Sequence, residues 1–269
     1  MAPRIAALFL SASYAIALFA GDELTVKLES KELLQARLEA GRVPEKQRQS
    51  AIERLFKDAG CTASEQAVNK KTANVVCTLP GDTAATIIVG AHYDYAEEGH
   101  GIVDDWSGAA LLPSLYSALK IAPRRHAFQF VAFAAEEQGL VGSQHFVKVM
   151  SSDEKQNMRG FVNLECLGVT SPKVWASRAT AALLDRLRET AIAIRVPIQS
   201  VNVDRAGDDD SHPFLNKNMP VITIHSMTSE TWPILHSKCD DLEAIHMDDY
   251  EATYRLIGFY LAYLDLKLP

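Results

Sequence analysis

Five short stretches of this 269-residue chain carry side chains that can bind divalent cations or move protons. His92-Tyr93-Asp94 follows the apolar run Ile87–Val89. Imidazole is a common metal ligand, and its second ring nitrogen needs an acceptor that fixes the tautomer. Asp94, two residues on, is spaced to be that acceptor. In Gly101–Gly108, Asp104 and Asp105 stand in a polar turn ahead of a long helical pattern. A carboxylate there can bridge two cations, while Asp105 or Ser107 can equally cap the helix. The strongly apolar run ending at Phe133 leads into the pair Glu136-Glu137. Adjacent carboxylates at the exit of a buried strand repel each other and lose hydration, and either a cation or solvent relieves this. Their side chains diverge, so Glu137 can bind metal while Glu136 faces a water as general base. Glu165 closes the run Phe161–Leu164, and His236 lies in a polar loop before the last helical pattern. Each stretch alone also fits a surface pair, a cap or a solvated turn. Taken together, His92, Asp104, Glu137, Glu165 and His236 form a nitrogen and oxygen ligand set suited to zinc in a water-open site. Five ligands with one shared carboxylate suffice for two ions about 3.5 Å apart.

Such residues meet only if the elements carrying them lie side by side. The apolar patterning predicts strands at Asn74–Leu79, Thr86–His92, Ala127–Ala134, Gly160–Leu164, Val174–Ala176, Ile198–Val203 and Val221–Ile224. It predicts helices at Trp106–Lys120, Leu140–Val149, Ala179–Ile194, His212–Asn218 and Asp248–Leu266. Strands alternating with helices imply an α/β domain with a mixed, mostly parallel central sheet flanked by helices. Runs such as Ile87-Ile88-Val89 suit strands covered on both faces. In such sheets ligands bind beyond the carboxyl ends of the strands. Residues 22–60, rich in Glu, Lys, Arg, Gln and Leu, read as a helical segment with amphipathic helices around 29–40 and 45–58.

Apolar residues make up 48% of the chain and charged residues 23%, which excludes intrinsic disorder. The net charge is −7 and no Lys/Arg run exceeds two residues, so a nucleic-acid partner is not expected. No glycine-rich nucleotide fingerprint is present. Arg4 is the single charge in residues 1–20, followed by a nearly uninterrupted apolar stretch to Ala20. This reads as a secretory signal preceding one domain at 21–269, with Ala15-Ile16-Ala17 as a possible cleavage motif. An uncleaved anchor is the alternative, although the stretch is shorter than the roughly 20 residues of a membrane span. The mature protein is then secreted or periplasmic, and a Cys61–Cys77 disulfide becomes possible, with Cys166 and Cys239 unpaired. His100, His126, His145 and His246 read as surface or loop residues. Tyr250, Tyr254, Phe259 and Tyr263 read as packing on the last helix, and His225 and Trp232 as residues that could line a pocket.

The ordered set of motifs resembles the secreted di-zinc aminopeptidases, whose zinc-exopeptidase, phosphorylase/hydrolase-like domain is shared with glutamate carboxypeptidase, glutaminyl cyclase and the transferrin receptor. The resemblance covers roughly residues 70–266. It rests on His92-x-Asp94, on Asp104 within Asp-Asp-x-Ser-Gly, and on Ala135-Glu136-Glu137-x-Gly139-Leu140-x-Gly142-Ser143. Asn163-Leu164-Glu165 and His236 followed by Asp240 complete the set. It implies that His92 and Glu165 hold one zinc, that Glu137 and His236 hold the other, that Asp104 bridges both and that Asp94 orients His92. It also implies metal-assisted hydrolysis of an N-terminal peptide bond in a peptide or small aminoacyl substrate, with Glu136 as general base. Three features depart from the family pattern. Glu165 stands where Asp is usual. The family's Ser-Asp-His-x-x-Phe segment reads Asp209-Asp210-Ser211-His212-Pro213-Phe214, where Asp210 and His212 would belong to the pocket wall. No protease-associated insert is present. The alternatives are a glutaminyl cyclase-like acyltransferase and an inactive binding module of the same fold. The compact run from Glu136 to Ser143 and the complete set of ligand and base positions speak for the peptidase.

Overall fold

The computed structural model describes residues 13–19, 22–96, 98–204 and 207–269. The described residues begin with an antiparallel hairpin, β1 (Ser13–Phe19) and β2 (Asp22–Leu28), followed by helices α1 (Lys31–Glu39) and α2 (Glu45–Asp58). Then come β3 (Ser64–Ala67), β4 (Ala73–Leu79) and β5 (Thr86–His92). A π-type turn at Ile102–Trp106 leads into α3 (Ser107–Leu119) and β6 (Ala127–Phe133). They are followed by α4 (Val141–Val149), α5 (Ser152–Asn157), β7 (Met158–Glu165) and β8 (Lys173–Val174). The remainder is α6 (Ala181–Ile194), β9 (Gln199–Ser200), α7 (His212–Leu215), β10 (Val221–His225) and the long α8 (Met247–Lys267).

One sheet runs in the order β3-β4-β6-β5-β7-β10-β8-β9. Its four central strands, β6, β5, β7 and β10, are mutually parallel, whereas β4 and β8 join their flanks antiparallel. Alternation within β5 explains the layering. Ile87, Val89 and Ala91 pack on the face covered by α3 and α8, while Ile88 faces the other side. On that second side the fully buried Phe133 and Phe161 meet Phe146 of α4 and Phe214 of α7. Phe214 stacks on Phe161 with ring centroids 4.2 Å apart, and Phe133 meets Phe146 edge-on at 5.7 Å. Burying a phenylalanine stabilises by roughly 1.5–3 kcal/mol, so Phe214 pins α7 and with it the loop at 207–211. The Cys61–Cys77 disulfide joins the end of α2 to β4, and Cys166 and Cys239 are free.

Several expectations need correction. Residues 22–28 are a strand, not part of a helical segment. Leu24, Val26 and Leu28 alternate with polar residues, and Val26 is fully buried. Residues 1–12 and 20 of the predicted signal lie outside the described residues, and Ser13–Phe19 pairs with β2. The strands expected at Val174–Ala176 and Ile198–Val203 shrink to the two-residue β8 and β9 at the sheet edge. Beyond the ladder, the Val201 amide still donates to Val174 O (3.1 Å). His126 is buried rather than exposed, because Nδ1 lies 3.0 Å from Asp265 Oδ1 and Nε2 lies 3.1 Å from the Pro269 carbonyl. Tyr250, Tyr254, Phe259 and Tyr263 of α8 are buried in the core. Among the described residues no helix is long and apolar enough to cross a membrane.

Candidate metal centre

The carboxyl ends of the parallel strands share one edge, and the chemistry gathers there. His92 is the last residue of β5, Glu165 of β7 and His225 of β10. The turn after β6 carries Glu136 and Glu137, the π-type turn before α3 carries Asp104, and the loop between β10 and α8 carries His236. These turns are strained. Ala135 (φ +56°), Cys166 (+49°) and His236 itself (+50°) adopt left-handed backbone, which costs on the order of 1 kcal/mol for each side-chain-bearing residue.

Buried polar contacts hold the turns in place. Asp94 Oδ1 accepts from the Glu136 amide (3.0 Å) and Oδ2 from the Glu137 amide (3.1 Å). Asp105 Oδ1 accepts from the Gly108 amide (3.1 Å) and the Cys166 amide (3.0 Å), tying the Asp104 turn to the end of β7. This approach requires glycine at 108, where a Cβ would stand 2.7 Å from the Asp105 carboxylate. The Val103 amide donates to Asp240 Oδ1 (2.7 Å), and the Asp104–Asp105 peptide is cis. Sequence spacing paired Asp94 with His92, but Asp94 Oδ1 lies 3.6 Å from His92 Nδ1, beyond a good hydrogen bond. Its bonds go to the glutamate turn.

The Asp104 carboxylate stands between two groups. Its Oδ1 is 3.1 Å from His92 Nε2, which is 3.5 Å from Glu165 Oε1. Its Oδ2 is 3.2 Å from His236 Nε2, which is 3.2 Å from Glu137 Oε2. Donor atoms of His92, Asp104 and Glu165 lie within 4.8 Å of one another, as do those of Asp104, Glu137 and His236. Glu136 Oε2 approaches His92 Nε2 only to 3.9 Å and completes neither group.

Without a cation this cluster is electrostatically unbalanced. Burial, reinforced by Asp210 and Glu165, pushes the Glu136 carboxyl up to about 10. Burial beside Asp104 raises Glu137 to about 7. Burial opposes charge on His92, but Glu136, Asp104, Asp94 and Glu165 outweigh it and raise its pKa. The hydrogen bond with Asp104 lifts His236 to about 9. Among the described residues, buried His92 Nδ1 and Glu137 Oε1 have no hydrogen-bond partner. A nitrogen and carboxylate set of this kind fits hard or borderline dications, zinc in particular.

The groups open into a cleft of about 310 Å³ whose walls include Trp175, Val203, His225, Met227, Trp232 and Leu235. His225 and Trp232 therefore line it as expected. His225 Nδ1 accepts from the Met227 amide (3.1 Å) and Nε2 donates to Val201 O (2.9 Å). Burial pushes its pKa down to about 4, so both nitrogens of a neutral imidazole are occupied. Asp210 and His212 do not form the wall. Asp210 is fully buried. His212 faces a separate groove beside His145 and Lys217, its Nδ1 3.0 Å from Asp208 Oδ1. Pro213 and Phe214 start α7 here, and Phe214 plugs into the core, so His212 turns to that groove while Asp208 and Asp209 line the cleft. Trp175, Met227 and the clamp made by Asp105 escaped sequence reasoning. No local spacing marks Trp175 or Met227, and Asp105 read as a helix cap.

Residues 74–261 match the family model for peptidase family M28. Among curated relatives, leupeptin-inactivating enzyme 1 of Streptomyces exfoliatus is 26% identical over 214 residues, covering 70% of this chain and 48% of the relative. Aminopeptidase YwaD of Bacillus subtilis is 27% identical over 189 residues, covering 64% of this chain and 39% of the relative. The chain thus spans less than half the length of these relatives. The fold is similar to that of LapA aminopeptidase of Legionella pneumophila (TM-score 0.77, 19% identity, 89% of this chain and 73% of that one). It is also similar to glutaminyl cyclase of Porphyromonas gingivalis (TM-score 0.70, 17% identity, 86% and 96%).

Proposed function

The chain belongs to peptidase family M28, and on that premise we propose that it is a zinc-dependent aminopeptidase. The observation that carries this reading is Asp104, whose two oxygens face His92 and His236 at 3.1 and 3.2 Å, one in each candidate ligand group, while Glu136 stands 3.9 Å from His92 and belongs to neither group. His92 and Glu165 would hold one zinc, Glu137 and His236 the other, and Asp104 would bridge them. Bound there, zinc supplies Lewis acidity, polarising the scissile carbonyl and lowering the pKa of the attacking water towards roughly 7. Glu136 takes the proton of that water and delivers it to the leaving amine. Asp94, gripping the amides of Glu136 and Glu137, aims the base and its neighbouring ligand. Acidic side chains at the cleft floor attract the substrate's free α-amino group, and Trp175, Trp232 and Met227 exclude water around its side chain.

Action outside the cytoplasm belongs to the same proposal. Its supports are the apolar composition of residues 1–20 and the Cys61–Cys77 disulfide, which persists in oxidising compartments. The test is to incubate purified protein with a panel of aminoacyl-amides and an N-terminal glutamine peptide, with and without chelator. Chelator-sensitive release of the N-terminal amino acid is the expected result. Cyclisation with ammonia release and no amino acid would make it a cyclase. Bound zinc without turnover of any substrate would make it a binding module.

A further inference from the structure

Arg48 of α2 lies outside the span that matches the peptidase family, yet it is fully buried. Its two Nη groups donate to backbone carbonyls, while the buried Nε has no partner among the described residues. Nη1 donates to Tyr93 O (3.1 Å) and Asp94 O (3.5 Å). Nη2 donates to Gly41 O (3.3 Å), Gly101 O (3.0 Å) and His100 O. The same group lies 4.3 Å from the ring centroid of Tyr95 and 5.2 Å from that of Trp106. None of its hydrogen bonds among the described residues goes to a carboxylate. A buried cation lacking a hydrogen-bonded ionic partner is costly to keep; this one is held by dipoles and ring faces, with the charges of Asp240, Asp94 and Glu45 attracting it from farther away.

The identity of the carbonyls is informative. Tyr93 and Asp94 directly follow His92, while His100 and Gly101 directly precede the turn bearing Asp104. Arg48 therefore ties together both ends of the loop that separates two members of the cluster. Through Asp94 the tie extends to the amides of Glu136 and Glu137. The four Nη–H donors of the planar fork can span these oxygens, whereas a lysine ammonium, with three donors on a point, cannot. We propose that Arg48 is a positioning residue of the metal centre, setting the separation of His92 and Asp104 and the aim of the Glu136-Glu137 turn. This inference rests on the metal-centre reading above.

A plain structural staple between α2 and the loop would cost stability and nothing else. The two roles separate when Arg48→Lys and Arg48→Met are compared with Arg37→Met. Arg37 is a buried arginine of α1 whose guanidinium lies 2.9 Å from Glu29 and donates to Ser114, not to the loop between His92 and Asp104. Zinc affinity is measured by competition with a chromogenic chelator on protein shown to be folded by circular dichroism, alongside kcat, KM and Tm. Loss of a group that orients metal ligands typically weakens binding or activity by roughly 10- to 100-fold. That loss is expected in both Arg48 variants, falling on zinc affinity and kcat rather than KM. Arg37→Met should lose Tm yet bind zinc like the wild type. Arg48 variants that lose Tm but keep wild-type zinc affinity and kcat would overturn the inference while leaving the metal centre standing. A wild-type protein that binds no zinc would overturn both. Should neither Arg48 variant fold, Tyr95→Leu removes only the half-buried stacking face, and the same readouts decide.

Discussion

Replacing Asp94 by asparagine isolates the hinge on which the proposed base depends. Asp94 is 3% exposed, and its two oxygens each accept one backbone amide, from Glu136 at 3.0 Å and Glu137 at 3.1 Å. Asparagine keeps the volume but turns one oxygen into an NH₂ group. Whichever way the amide is flipped, one backbone N–H then faces a donor. A hydrogen bond to a charged acceptor contributes roughly 1.5–3 kcal/mol, a neutral one about 1 kcal/mol, and an unsatisfied buried N–H costs about 1–3 kcal/mol. One bond loses its charge and the other becomes a penalty, so the expected loss is about 3 kcal/mol of folding stability. Urea unfolding should show a lower midpoint at an unchanged m-value, the signature of altered stability rather than altered compactness. Because Glu136 hangs on this turn, kcat should fall at least about tenfold, the equivalent of 1.4 kcal/mol in the barrier, with KM little changed. A variant matching the wild type in both midpoint and kcat would refute the assignment of Asp94 as the anchor of the glutamate turn.

Three further outcomes are expected. Glu136→Gln removes the base and no ligand, so zinc content should persist while turnover falls by at least about 10²-fold; an active variant would remove Glu136 from the mechanism. His236→Ala should lose metal as well as rate, and unchanged zinc content by elemental analysis would show that His236 is no ligand. In metal-stripped protein, burial holds Glu136 up at about 10 and Asp210 at about 8, and the Asp104 hydrogen bond holds His236 at about 9. All three bind more protons folded than unfolded, so stability should fall as pH rises from about 6.5 to about 9, with Tm dropping across that window and recovering on zinc addition. A flat Tm profile without zinc would contradict the electrostatic picture of the cluster.

The parallel strands were legible because β5, β6, β7 and β10 are buried on both faces and so read as unbroken apolar runs. The candidate cluster followed, since His92 and Glu165 close such runs and Glu136-Glu137 follows another. What stayed hidden depends on distant partners. His126 is buried by Asp265, 139 residues away, and Asp94 is claimed by a turn 42 residues on. The composition of residues 22–28 favours helix, but pairing with β1 and packing of Val26 beneath α8 make them a strand. Asp210 and His212 were misplaced for a related reason. Phe214 must reach the aromatic cluster under β7, and this leaves Asp210 fully buried and turns His212 to a separate groove.

The claim that matters most is that Asp104 bridges two cations. Anomalous scattering at the zinc edge, from crystals grown with the metal, tests it directly. Two peaks about 3.5 Å apart are expected, one against His92 and Glu165, the other against Glu137 and His236, with Asp104 between them. No peak at Asp104, or zinc bound only elsewhere on the chain, would contradict the account.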